Sequence, residues 1–218
     1  MTEIIFDPDS HTYTLGGAKL PSVTQILGQF RRVKLGDLRY VVDVFNGRIF
    51  PAEMFDDPAD YGTAIHEGCR LLLTGQGIDY AALADELVYP LQQFEIFLRE
   101  YRIEPIAVEQ KMYSARYRYA GTPDLACRML GQKTKWVLDI KTGSVLGMAG
   151  PQTSAYEKML IEHNLLSGRH NRRGVLLPPK KGEKRGGWRI KPLTGKHDWK
   201  FFEARLKTHY LLTEGKLS

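Results

Sequence analysis

Cysteine is nearly missing from this chain: Cys69 and Cys127 are the only two, far apart in sequence. Two thiols make no disulfide framework and fall short of a four-cysteine zinc or iron–sulfur site. The expectation is two small buried thiols, no iron–sulfur cluster and a reducing, cytoplasmic setting. No apolar run approaches the roughly 18 residues needed to cross a bilayer, so no membrane partner is expected. The opening Met-Thr-Glu-Ile-Ile-Phe-Asp lacks a basic leader and a long apolar stretch, so no secretory signal is expected. Internal repeats and low-complexity tracts are absent as well. Acid is scarce in one stretch. Between Arg169 and Lys191 nine basic residues stand against Glu183, giving +8 and leaving −2 for the rest of a chain whose net charge is +6. Such an excess attracts polyanions and suits phosphate tracking. Lys-Lys-Gly-Glu-Lys-Arg-Gly-Gly within it also reads simply as a solvated hairpin tip.

What is present supports one α/β domain over residues 1–218, large enough to bury a core. Residues 3–20 alternate apolar and polar side chains around Asp-Ser-His and Gly-Gly turns, which predicts a β-hairpin. Ser22 is placed to cap a short helix whose face carries Val23, Ile26, Leu27 and Phe30. Residues 36–60 read as irregular, and residues 1–60 together as an N-terminal hairpin and helix extension. Helices are predicted over 61–73 and 80–101, the second burying Leu83, Leu87, Leu91, Phe94, Phe97, Leu98 and Tyr101. Three strands follow, at 106–113, 117–128 and 135–141, then a helix from Gln152 to about Leu166. A basic hairpin over 168–192, with strands at 173–177 and 187–192, precedes a helix within 197–214.

The strand Val137-Leu138-Asp139-Ile140-Lys141 carries the first chemical signal. Side chains alternate across a strand, so Asp139 and Lys141 share one face while Leu138 and Ile140 share the other. The acid can bind a metal and the amine can orient water, although Asp-x-Lys is also an ordinary surface ion pair. Gly121-Thr122-Pro123-Asp124 opens the strand that pairs with it. Two carboxylates brought together this way repel unless a cation lies between them. Asp124 read alone is equally a turn residue after proline. Glu109, on the first strand of the meander, supplies a third oxygen donor or pairs with Lys111 or Arg118. In Gly62-Thr-Ala-Ile-His66, glycine lies one helical turn before the imidazole and leaves room beside it. That histidine is a ligand or a structural residue. Gln152 and Tyr156, at i and i+4, offer an amide and a phenol on one helix face.

The order of these signals is more specific than any one of them. Gly-x-x-x-His, then Glu, Pro-Asp, Asp-Ile-Lys and Gln-x-x-x-Tyr resembles the RecB-like branch of the PD-(D/E)XK nucleases, over about Tyr61 to Tyr156. The opening Phe-Asp-Pro-Asp-Ser-His-Thr-Tyr and Leu-Pro-Ser-Val-Thr-Gln-Ile-Leu resemble small phage-encoded members. The iron–sulfur relatives are set apart by their cysteines. The resemblance implies a restriction-endonuclease-like core over 61–160, with a central mixed sheet of about five strands flanked by helices. It implies Mg²⁺ or Mn²⁺ held by His66, Glu109, Asp124, Asp139 and the Ile140 carbonyl, with Lys141 positioning the attacking water. Asp124, Asp139, Lys141 and Glu109 are then the catalytic set. Gln152, Tyr156 and Arg70 would contact DNA beside them. From the basic hairpin, Arg172, Arg173, Lys180, Lys181, Arg185 and Arg189 would add backbone contacts. Trp188 would stack on a base or belong to the core.

The activity so implied is metal-dependent hydrolysis of phosphodiester bonds, by an exonuclease that processes single-stranded or resected DNA ends in recombination, repair or replication, alongside proteins of those processes. An endonuclease of the same fold and an inactive DNA-binding module are the alternatives.

Overall fold

The computed structural model describes residues 3–7, 12–28, 30–35, 38–43, 48–51, 56–143, 147–168, 170–180 and 182–214, with the side chains of 30–60 outside the description. The N-terminal segment forms three antiparallel strands, β1 (Ile4–Asp7), β2 (Thr12–Leu15) and β3 (Ala18–Leu20), one more than a simple hairpin. The Gly16-Gly17 turn joins β2 to β3 with both residues at positive φ. The expected Asp-Ser-His turn lies outside the described residues. Helix α1 (Val23–Leu27) begins at Ser22, whose hydroxyl accepts from Gln25 N–H at 3.0 Å while the Gln25 amide oxygen accepts from Ser22 N–H at 2.9 Å. It ends at Gly28 in the left-handed conformation, so Phe30 lies in a strand and not on the helix face. The described residues within 36–60 are not irregular. Strands β4 (Phe30–Leu35), β5 (Leu38–Asp43) and β6 (Arg48–Pro51) form an antiparallel sheet, and α2 already begins at Asp56 and runs to Leu73.

A 3₁₀ turn over Tyr80–Ala82, capped by the Asp79 carboxylate, precedes α3 (Asp85–Glu100). Leu91, Phe94 and Phe97 are buried as expected, whereas Tyr101, beyond the last turn, is exposed. The expected meander is divided more finely, into β7 (Ile103–Val108), β8 (Met112–Ser114), β9 (Tyr119–Gly121), β10 (Leu125–Met129) and β11 (Lys135–Ile140). Strands β8 and β9 leave the main sheet as a two-stranded ribbon. Helix α4 (Ala149–Glu162), strands β12 (Asn171–Leu177) and β13 (Arg189–Leu193), and helix α5 (Asp198–Thr213) complete the chain.

The central sheet has the order β13-β12-β11-β10-β7 and is mixed, since β11 and β12 are parallel and the other pairs antiparallel. An α/β architecture with a mixed five-stranded sheet is therefore present. Alternation along β11 divides the core. Leu138 and Ile140 join Ile65, Phe94 and Trp188 beneath α2 and α3, while Val137 faces Tyr156, Met159 and Phe202 beneath α4 and α5. Asp139 follows Val137 onto the α4 face, where it is almost fully enclosed at 1 % exposure. Among the described residues no helix is long and apolar enough to cross a membrane. Cys69 and Cys127 are both buried and unpaired, as expected.

Candidate metal centre

Antiparallel pairing of β10 with β11 aligns Leu125 with Leu138, so Asp124 enters its strand opposite Asp139. Both carboxylates are buried. Asp124 Oδ2 accepts the Ile140 N–H at 2.6 Å, which fixes the acid against the end of β11. Asp139 Oδ2 lies 2.8 Å from Lys141 Nζ in an ion pair, and beyond that contact neither Asp139 oxygen has a hydrogen-bond partner among the described residues. One ammonium offsets only part of the cost of burying this carboxylate, so it favours either a proton or a further cation. Burial, reinforced by the Asp124 charge and opposed by Lys141, pushes the Asp139 carboxyl up to about 7. The Asp124 carboxyl is also raised, by burial first and then by Glu109, against the lowering effects of His66, Lys141 and the Ile140 amide.

His66 reaches this pair from α2. Gly62, one turn earlier, provides the clearance expected of it: a β-carbon there would sit 3.1 Å from Thr142 Oγ1, just past the end of β11. His66 Nε2 contacts the Ile140 carbonyl at 3.1 Å. A carbonyl can only accept, so Nε2 carries the proton and Nδ1 faces the acids, 3.5 Å from Glu109 Oε1 and 3.8 Å from Asp124 Oδ2. Burial disfavours the imidazolium, but Glu109, Asp124 and Asp139 together outweigh it and raise the His66 pKa. The Ile140 carbonyl, expected as a ligand, is thus engaged in orienting the imidazole.

Glu109 follows β7 with φ +44°, a left-handed conformation that costs on the order of 1 kcal/mol or more for a non-glycine residue. Its N–H donates to the Asp124 carbonyl at 3.1 Å, which holds the turn against the neighbouring strand. The two alternative partners are elsewhere, since Arg118 pairs with Glu214 and Lys111 lies over the Phe6 ring. His66, Glu109 and Asp124 offer donor atoms that all lie within 4.8 Å of one another, a set able to hold a metal ion. Asp139 stands beside that set: the Asp124 charge acts on it, and its own charge acts on His66.

On the α4 side, Lys141 Nζ donates to Gln152 Oε1 at 3.4 Å and Gln152 Nε2 donates to Tyr156 Oη at 3.3 Å. The three expected residues are therefore joined in one line. Tyr156 is buried, so its place is behind Gln152 rather than on a free surface. Arg70 is held by Glu67 through two contacts, of 2.7 and 2.6 Å, on the exposed face of α2.

The basic hairpin separates into two kinds of residue. Trp188 is buried, packs against Phe94 with the rings tilted and their centroids 4.7 Å apart, and donates its indole N–H to the Pro90 carbonyl at 2.7 Å. A ring enclosed on all sides has no face for a base, which corrects that expectation in favour of the core. Arg173 is corrected in the same way. Its guanidinium donates to the Gly150 carbonyl at 2.7 Å and to Asp198 at 2.9 Å, with Glu157 at 3.5 Å, and so ties β12 to α4 and α5. Arg172 is exposed and lies over the Trp136 ring, while Lys180, Arg185 and Arg189 are exposed on the loop and on β13. Lys181 lies outside the described residues.

Tyr13, the last residue of the opening Phe-Asp-Pro-Asp-Ser-His-Thr-Tyr, also lies at this centre, although it is not among the expected site residues. It comes from the N-terminal sheet and is buried, with its hydroxyl 2.7 Å from Thr122 Oγ1 in the Gly-Thr-Pro-Asp turn. Burial chiefly, and Glu109 in part, raise its pKa against the Thr122 hydrogen bond. Only the alternation of β2 hinted that Tyr13 faces inward; nothing local linked it to a turn 109 residues away. Comparison with known protein families finds no matching family model, and comparison with curated proteins finds no match either.

Proposed function

We propose that this chain is a divalent-metal-dependent nuclease that hydrolyses phosphodiester bonds in DNA, on a restriction-endonuclease-like core. The observation that carries the reading is Asp139: a buried carboxylate opposite a second buried carboxylate, whose one close partner among the described residues is the Lys141 ammonium at 2.8 Å. Three carboxylates and one imidazole nitrogen fit Mg²⁺, and the nitrogen makes Mn²⁺ a good substitute. His66 Nδ1, Glu109, Asp124 and Asp139 would hold the ion. When bound, it supplies Lewis-acid neutralisation of phosphate charge and acidifies water.

The remaining work falls to the side chains. Lys141 is partly exposed with its ammonium between Asp139 and Gln152, able to donate to a water or a phosphate oxygen. Gln152 limits the rotation of Lys141 and is itself held by the buried Tyr156 hydroxyl. Glu109 and Asp124 keep the imidazole aimed inward.

Within that activity we favour an exonuclease acting on DNA ends, a form supported by the sequence resemblance. Linear and circular single-stranded DNA, each given Mg²⁺ or Mn²⁺, test it. Loss of the linear strand alone is expected. Cutting of the circle would turn the reading towards an endonuclease, and binding without cleavage of either substrate would leave an inactive binding module.

A further inference from the structure

We infer that Arg189 and Lys191 form a phosphate track on the sheet edge, along which a polynucleotide strand runs away from the carboxylate centre. The inference rests on reading that centre as a phosphodiester site, and it assigns Lys191 a role alongside Arg189. Strand register carries it. Asp139 pairs with Val175 on β12, and Val175 pairs with Lys191 on β13. The Lys141 N–H donates to the Leu176 carbonyl, which continues the register, and the next residue, Leu177, pairs with Arg189.

Paired residues project from the same side of a sheet, so both cations share the face of Asp139 and Lys141. Their neighbour Ile190 packs with the opposite core. Two strand spacings of about 4.8 Å put the β13 cations roughly 10 Å from the carboxylates across the sheet. Two residues along β13 separate them from each other by about 7 Å, a distance successive phosphates of one extended strand can span.

Charge and rigidity suit them to the task. Both are exposed, and among the described residues neither forms an ion pair, in contrast to Arg173 on the adjacent strand. Trp188, immediately before Arg189, is anchored to α3 through Pro90, and Tyr89 Oη donates to the Gly186 carbonyl at 2.9 Å. The track therefore starts from a fixed point. On the same face, α4 lies against β11 and β12, whose Val175 is fully buried, while Lys191 on the outermost strand is left open.

Binding of a fluorescently labelled single-stranded oligonucleotide, followed by anisotropy across a salt series in EDTA, tests the track without cleavage. Each phosphate contact contributes about 0.7 to the slope of log K against log salt. The double variant Arg189→Gln with Lys191→Gln is expected to bind more weakly and to lower the slope by about 1.4, with an unchanged melting temperature. Lys133→Gln, in the exposed turn at the far end of β11, should leave the slope unaltered. An unchanged slope in the double variant, an equal loss in Lys133→Gln, or no binding by the wild-type protein would overturn the track. If the slope falls as expected while Mg²⁺ and Mn²⁺ support no cleavage by the wild-type protein, the track stands and the nuclease reading fails.

Discussion

Asp139 and Lys141 meet at 2.8 Å on one face of β11, yet the acid is almost wholly enclosed while the amine retains about a third of its exposure. The pair is unequal. Lys141 can turn to solvent or to a ligand, whereas the Asp139 charge has no other partner among the described residues except a cation. Asp139→Asn is therefore expected to abolish the response to divalent ions without unfolding the chain. Wild-type protein with Mn²⁺ at about a hundred times its dissociation constant should gain roughly 5–10 °C in melting temperature. The variant should gain nothing, and in EDTA at pH 8 it should melt at or above the wild type, because one of two mutually repelling charges is gone. An undiminished Mn²⁺ shift in Asp139→Asn would remove Asp139 from the ligand set.

Stability should depend on pH with a sign unusual for acidic residues. A carboxyl raised to about 7 binds a proton in the folded state that it has lost in the unfolded state, so stability falls as pH rises from about 4 towards 7. The raised His66 acts in the same direction, with its contribution complete below about 6.5 and lost as pH passes its folded value. Melting temperature in EDTA is expected to decline between pH 5 and 8, and Asp139→Asn should flatten that decline. Saturating Mn²⁺ should reverse it, because the ligands must be deprotonated to bind. Thermal melts across this range, with and without Mn²⁺, give the comparison. A melting temperature in EDTA that climbs with pH would contradict the buried carboxylates as drawn.

The centre was legible because its parts lie on periodic elements. Alternation put Asp139 and Lys141 on one face, and a short turn forced β10 against β11, so Asp124 had to arrive opposite Asp139. The four-residue step from Gly62 to His66 likewise survived folding, since it depends only on helix geometry. What failed depended on contacts distant in sequence. Trp188 and Arg173 sit in a basic run and resemble their neighbours, but Pro90, Phe94, Glu157 and Asp198 decide their roles. Strands β4–β6 were not legible for a different reason: Asp and aromatic residues blur the local signal, and the strands are defined by pairing among three short segments.

Tyr13→Phe probes a link between the N-terminal sheet and the site. The hydroxyl removed is the partner of Thr122, two residues before Asp124. Losing it should cost about 0.5–1.5 kcal/mol of stability. A looser turn should also weaken Mn²⁺ binding, measured by calorimetry, with the slope of nucleic-acid binding against salt unaffected. Stability lost without any change in Mn²⁺ affinity would make Tyr13 a packing residue alone.

Arg173→Met separates a structural arginine from a binding one. The guanidinium satisfies two acids on different helices and two backbone carbonyls, at Gly150 and Gly195. Methionine replaces the stem but leaves Asp198 and Glu157 without their shared cation, and the Gly150 carbonyl without its donor. Hydrogen bonds to charged groups contribute roughly 1.5–3 kcal/mol, so the melting temperature should fall by about 3–10 °C. The bond network faces inward, between β12, α4 and α5, so the salt dependence of oligonucleotide binding should match the wild type at temperatures where both are folded. The opposite pattern, with intact stability and a slope reduced by about 0.7, would place Arg173 on the nucleic-acid surface after all. The two outcomes differ because a cation already neutralised by two carboxylates has few counterions to release.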